Sequence, residues 1–383
     1  MLQKTQPINF LKRQCMSKKI FVYDNVLSPS NQRGVNRCFI SYTQALAKSY
    51  PNRVLVYTSR SVEAPGARFI YSFSRYIKTT KITSKISILK KIPPPGIIAD
   101  LFTDIVYLPY YGKIRTRIPQ LFSAYDMIYE KYPHYFSPSN SSINKHIQEK
   151  KECFERAALI LCISNNTAKD IIEIYPNLPK DKFKVIHLGV DDIFFNHSSS
   201  LYTGKPYFLY VGIRRFYKNF NRLLRAFGKS ELASRFDLKI ITTERYKNFT
   251  DQEVDIINKY NLSPHINIET SVTDNTLRER YSQSFAFVYP SEYEGFGLPV
   301  LEAMASGTLV LTSNVSSMPE IGGDAPLYFD PLSEDSIAQT LLIASQMSEI
   351  HRQEYILKGI TRARQFTWQS SQEKFLSAIQ QFQ

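Results

Sequence analysis

The chain has 383 residues, of which 43% are hydrophobic and 13% aromatic. It is too long for one ordinary domain and too apolar for a disordered chain, so two globular domains are expected. The formal net charge of +14 is one-sided: residues 1–200 hold 29 Lys and Arg against 14 Asp and Glu, and residues 201–383 hold 19 against 20.

Cys15, Cys38, Cys153 and Cys162 show no CxxC spacing, which argues against a disulfide scaffold and for reduced thiols in a cytoplasmic protein. No run of about 18 apolar residues is present, so no membrane-spanning helix is expected. Residues 1–16 read as a polar tail without an apolar signal region, and Met16 is a candidate start.

Ile20-Phe21-Val22-Tyr23 reads as a buried first strand, followed by a loop through Pro29, Asn31 and Gly34. Cys38 to Lys48 has helical spacing at Phe39, Tyr42 and Leu46. Further strands are expected at 54–57, 104–108, 159–163 and 183–186. Strands alternating with helices predict a doubly wound α/β domain over 17–195. Residues 196–204, with His197-Ser198-Ser199-Ser200, read as a linker. Strands at 207–211, 238–241 and 286–289 and a helix around 222–227 predict a second α/β domain over 205–365. Residues 366–383 form an amphipathic end with Phe375, Leu376, Ile379 and Phe382.

Arg75, Lys78, Lys81 and Lys85 fall at helical spacing, with Lys90 and Lys91 beyond and Pro93-Pro94-Pro95 as a stop. Such a segment is either a solvated helix face or a surface for an anionic membrane.

Two motifs carry chemistry. Glu294 and Glu302 stand eight positions apart around Gly295-Phe296-Gly297-Leu298-Pro299. The glycines allow close backbone approach, and the proline suits a helix start whose N–H groups face a ligand. Carboxylates accept the two hydroxyl protons of a sugar diol, so the loop suits a ligand with both phosphate and hydroxyls. The second motif, Tyr210-Val211-Gly212-Ile213-Arg214-Arg215-Phe216-Tyr217-Lys218-Asn219, lies between a strand and a helix. Arg214 and Lys218 could clamp a diphosphate and stabilise charge on a leaving nucleotide. No His/Cys group has metal spacing, Asp191-Asp192 is not an Asp-x-Asp element, and no nucleic-acid-binding module is recognised, so neither a metal nor a nucleic-acid partner is expected.

Together these motifs resemble the retaining glycosyltransferases of family 4, which have the two-domain GT-B fold. The resemblance is carried by residues 210–219, 290–305 and 316–325. It is weaker at Gln32-Arg33-Gly34-Val35-Asn36-Arg37, at 163–167 and at 185–191. It implies that Glu302 binds the nucleotide ribose and that Glu294 holds donor-sugar hydroxyls. Gly295, Phe296, Gly297 and Leu298 would add backbone contacts, Val272 would lie near the base, and Arg214 and Lys218 would hold the diphosphate. Gly34 would let the N-terminal loop approach diphosphate or acceptor, and the last helix would cross back to the first domain. Where many relatives carry His-Asp, this chain has Tyr125-Asp126, near the expected reacting sugar. Tyr125 can donate a hydrogen bond but cannot replace an imidazole base near neutral pH.

The expectation is a metal-independent hexosyltransferase using a nucleoside diphosphate sugar, with GDP-mannose the suggested donor. It would act on a glycan or lipid-linked acceptor in surface polysaccharide synthesis, with the basic half lying peripherally at the inner membrane face. A GT-B sugar-nucleotide epimerase and a non-catalytic sugar-nucleotide or glycan-binding relative are the alternatives.

Overall fold

A computed structural model describes residues 19–24, 33–51, 53–58, 95–112, 114–137, 139–196, 203–242 and 248–382. The basic segment 75–91, the tail and most of the 196–204 linker lie outside the described residues.

Two parallel six-stranded sheets build the molecule. The first is ordered β2-β1-β3-β4-β5-β6. Its strands are β1 (Ile20–Asp24), β2 (Val54–Thr58), β3 (Ile105–Leu108), β4 (Gln120–Ala124), β5 (Leu159–Cys162) and β6 (Phe183–Val185). The second is ordered β12-β11-β10-β7-β8-β9. It comprises β7 (Tyr207–Val211), β8 (Asp237–Thr242), β9 (Ile266–Thr270), β10 (Ala286–Tyr289), β11 (Val310–Ser313) and β12 (Leu327–Phe329). Central strands such as β3, β5, β10 and β11 are buried at every position, as expected of strands covered by helices on both faces. Strands β4, β9, β11 and β12 were not expected from the sequence. β4 and β11 mix polar with apolar residues, β12 has only three residues, and β9 is only half-buried and polar at Asn267 and Glu269.

The strand orders position the site. In the second sheet the chain runs outward from β7 through β8 to β9, then returns to the other side of β7 with β10. The loops after β7 and β10 therefore diverge from adjacent carboxyl ends, the place where open α/β sheets bind ligands. In the first sheet the same reversal falls between β1 and β3.

The two sheets share one apolar cluster that runs from Ile20, Tyr42 and Tyr107 to Phe296, Met304 and Phe375. The final helix, Trp368–Gln380, packs on the helix Arg33–Ser49. Its Phe375 ring lies 4.2 Å from Tyr42 at 7° and 4.9 Å from Tyr107 edge-on. Val190 and Thr367 form a short bridge beside this junction. Cys38, Cys153 and Cys162 are buried free thiols.

A polar strut also joins the halves. Ser164 caps the helix Asn165–Ile174, whose first turn points at Glu320 of the short helix Met318–Gly322. The Glu320 carboxylate accepts from the Asn165 amide at 2.8 Å and the Asn166 amide at 3.1 Å, and lies 2.6 Å from His187 Nε2. A carboxylate at a helix N-terminus is favoured by the exposed N–H groups and the helix dipole. Burial raises the Glu320 pKa, but bonds from His187, Asn165 and Asn166 outweigh it and hold the carboxyl below its usual value.

A folded-state pKa below the unfolded one contributes stability above the ordinary glutamate value near 4.5, and that contribution is lost as pH falls through the lower folded value. Glu320→Gln is therefore expected to lower the urea midpoint at neutral pH. The gap to wild type should shrink on acidification below that range. Parallel curves through the same range would contradict the role of the charge.

Candidate active site

A cavity of about 370 Å³ opens between the two sheets, within the usual range for small-molecule sites. Its wall includes Gly34, Arg37, Tyr125, Asp126, Ile213, Lys218, Val272, Glu294, Gly295, Phe296, Gly297, Leu298 and Glu302. All the expected site residues except Arg214 thus meet in one place.

The Glu294–Glu302 segment is built as a turn into a helix. Gly297 adopts φ 114° and precedes the helix Leu298–Ala305, with Pro299 in its first turn. That left-handed conformation favours glycine. Ser317 Oγ donates to the carbonyls of both Glu294 and Phe296 at 2.8 Å, and the Glu294 amide donates to Ser316 Oγ at 3.0 Å. The Glu292 amide donates to the Tyr217 carbonyl at 2.7 Å, tying this loop to the one after β7. Gly295 sits where the halves touch: a Cβ there would lie 1.9 Å from the Tyr125 carbonyl oxygen. Its own carbonyl accepts from Ser164 Oγ at 2.6 Å.

Each carboxylate has a cation. Lys218 Nζ lies 2.6 Å from Glu294 Oε1 and 3.0 Å from Tyr289 Oη, and Tyr289 Oη donates to the same Glu294 oxygen at 2.7 Å. Burial alone would pull the Lys218 pKa down, but Glu294 and Tyr217 outweigh it and hold the ammonium charged. Glu302 Oε1 takes Arg37 Nη1 at 2.6 Å, and Glu302 Oε2 lies 3.4 Å from Tyr281 Oη.

Arg214 is placed otherwise than the diphosphate role requires. It is 6% exposed, and it donates to Glu253 Oε2 at 2.8 Å and to the Asn248 carbonyl at 2.8 Å. Glu253 is itself part of the capping box of the helix Asp251–Lys259, so Arg214 fastens a neighbouring helix start. Ile213, one residue earlier, lines the cavity instead.

Tyr125 lines the cavity, but its hydroxyl lies against the Cys38 thiol and makes no hydrogen bond of ordinary geometry. Burial first, then Cys38 and Tyr107, push its pKa well above the usual value, so it stays a neutral phenol. Asp126 turns one carboxylate oxygen to the Ile128 amide at 3.2 Å. His187 belongs to the Glu320 strut, and His134 lies against Tyr132 and Tyr135. Among the described residues, no group of three or more His, Cys, Asp or Glu could hold a metal ion. Arg37 and Tyr289 line the cavity and bond to Glu302 and Glu294, and neither is among the site residues expected from the sequence. Arg37 lies about one turn after Gly34 on the helix Arg33–Ser49, which begins where the sequence suggested a loop.

Residues 192–359 match the family model described as glycosyl transferases group 1. The chain is 30% identical over 237 residues to the O-antigen chain mannosyltransferase B of Escherichia coli, covering 59% of this chain and 61% of that protein. It spans less than two thirds of the length of the curated relatives it matches first. Among solved structures it is similar to WaaG, a glycosyltransferase involved in lipopolysaccharide biosynthesis, with TM-score 0.71, 15% identity and coverage of 94% and 99%. It is equally similar to Anabaena HepE in complex with UDP-glucose, with TM-score 0.70, 15% identity and the same coverage. The fold is therefore the two-domain α/β GT-B fold of these glycosyltransferases.

Gly295→Ala is expected to cost about 1–3 kcal/mol or more, because backbone atoms must shift to admit the methyl group. Gly34→Ala should cost less, since its Cβ would meet only the flexible end of Leu298 at 3.1 Å. Thermal or urea unfolding of the two variants checks this, and equal stabilities would contradict it.

Proposed function

We propose that the chain is a glycosyltransferase that moves a hexose from a nucleoside diphosphate sugar to a glycan or lipid-linked acceptor in surface polysaccharide synthesis. The observation that carries this reading is the meeting of Glu294, Glu302 and Lys218 in one cavity at the β7/β10 reversal. A mannose-type donor is supported by the similarity to an O-antigen chain mannosyltransferase. A nucleotide-sugar site is supported by the UDP-glucose complex of HepE, which shares the fold.

In this reading Glu302 accepts the ribose hydroxyls and Glu294 the hexose hydroxyls, exchanging bonds now made to protein donors. Val272 lies beside the base. Lys218 stabilises the charge that develops on the departing diphosphate, which makes a metal unnecessary. Transfer proceeds with retention: the bond from C1 to the phosphate oxygen breaks, and the acceptor oxygen bonds C1 on the same face. The acceptor proton passes to the leaving phosphate, which dispenses with a base at the position of Tyr125. Closing the cleft around these groups limits hydrolysis of the donor.

The basic first half is proposed to hold the acceptor at an anionic membrane face. Its surplus of Lys and Arg supports this, as do the exposed Ile97, Leu101 and Phe102 on the helix Pro95–Phe102.

Incubation with a panel of nucleotide sugars and acceptor lipid is expected to release nucleotide fastest from GDP-mannose. Lys218→Ala and Glu294→Ala should each lower kcat by about a hundredfold or more while staying folded. Arg214→Ala should act chiefly through stability. Unchanged turnover in both the Lys218 and Glu294 variants would sink the assignment. Sedimentation with phosphatidylserine vesicles should pull the protein down at low salt and release it at high salt, and no binding at low salt would refute the membrane role.

A further inference from the structure

Arg37 occupies an unusual position. It lies in the first sheet's half of the molecule, on the helix Arg33–Ser49, yet its three carboxylate partners come later in the chain. Nη1 lies 2.6 Å from Glu302, Nη2 3.0 Å from Asp274 and Nε 3.2 Å from Asp191. The Arg37 side chain is 16% exposed and the Glu302 side chain 8%. Burial alone would lower the Arg37 pKa, but the three acids outweigh it and hold the guanidinium charged. Glu302 moves upward for a different reason: burial and the neighbouring Asp274 and Asp191 work against the pull of Arg37. The acids thus raise Arg37, whereas burial, more than the neighbouring acids, raises Glu302.

This arrangement cannot persist unchanged in a loaded site. A ribose diol binds a carboxylate best through both oxygens, and Arg37 holds Oε1 of Glu302. A diphosphate brings at least two negative charges into the cavity, more than the single charge of Lys218, released from Glu294, can balance. Arg214 is anchored to Glu253 outside the cavity wall. Arg37 lines the cavity, and a guanidinium fork fits phosphate oxygens well.

We propose that Arg37 is a donor-recognition residue that changes partner on binding: Glu302 releases it for the ribose, and the freed Nη1 pairs with the donor's diphosphate. Asp191 and Asp274 keep the guanidinium at the cleft edge during the exchange. The proposal rests on the reading of Glu302 as the ribose ligand. It gives the molecule its second phosphate-binding cation and supplies that cation from the opposite half of the cleft. Phosphate binding then draws both halves onto the donor, whereas the nucleoside alone would only break the Arg37–Glu302 pair.

The fold contains its own reporter. Trp368, the single tryptophan, donates its indole N–H to Asp191 Oδ1 at 2.5 Å, and the other Asp191 oxygen pairs with Arg37. A shift of Arg37 should therefore change the emission of Trp368.

The test is calorimetric titration of the full chain with GDP, GMP and guanosine, with tryptophan emission read in parallel, and with UDP, UMP and uridine as a second series. In wild type, affinity should rise with each phosphate, and the diphosphate should change the emission. Arg37→Gln should weaken diphosphate binding by about tenfold or more while leaving the nucleoside unaffected or tighter. Arg37→Lys, which keeps the charge but not the fork, should fall between them and guards against a folding defect in the first variant. A wild-type ratio of diphosphate to nucleoside affinity in both variants would overturn the proposal. So would tighter diphosphate binding in Arg37→Gln, which would make Arg37 only a competitor for Glu302. If wild type bound no nucleoside diphosphate in either series, the donor site itself would be refuted and this role with it.

Discussion

A carboxylate set into the wall of a cleft must be paired, and the molecule contains two of them eight residues apart. Leaving either one buried without a partner would cost several kcal/mol. The cations come from different places. Lys218 reaches Glu294 from the loop after β7, within the same sheet's half. Arg37 reaches Glu302 from the other half. The reversal of strand order at β7 and β10 makes the first pairing possible, and the close approach of the helix Arg33–Ser49 to the loop 294–302 makes the second. A ligand rich in hydroxyls and phosphate can replace both sets of contacts.

The same constraint accounts for how closely the halves meet below the cleft. Gly295 brings backbone against backbone at Tyr125, where any side chain would collide. Ser164 and Thr167 satisfy the Gly295 carbonyl, Glu320 caps the helix Asn165–Ile174, and the last helix returns to stack Phe375 on Tyr42. These contacts are short and polar at the cleft floor and apolar behind it. A floor fixed in this way holds the two carboxylates in register.

Much of this was legible in the sequence, because the informative signals were local. The loop from Glu294 to Glu302 carries its turn glycines, its helix-starting proline and both carboxylates within nine residues. Lys218 was found because it follows a strand at a fixed distance. The doubly wound pattern was found from apolar runs, although β4, β9, β11 and β12 were too short or too polar to stand out. Arg214 shows the limit of local reasoning. Beyond a strand end, neighbouring side chains point in different directions, and a one-residue difference put Ile213 on the cavity and Arg214 on Glu253. Arg37 shows a second limit, since its partner Glu302 is 265 residues away in the chain. No spacing rule connects such a pair. The sequence places Tyr125 where many relatives carry a histidine, but only the packing shows its hydroxyl turned to Cys38 on the helix Arg33–Ser49.

Glu302 and Glu294 are proposed to divide one nucleotide sugar between them. A crystal structure with a non-transferable GDP-hexose analogue tests it most directly. The ribose hydroxyls are expected on Glu302, the hexose hydroxyls on Glu294 and the diphosphate beside Lys218. A nucleotide bound elsewhere, or one bound here with either carboxylate still in its unliganded ion pair, would contradict it.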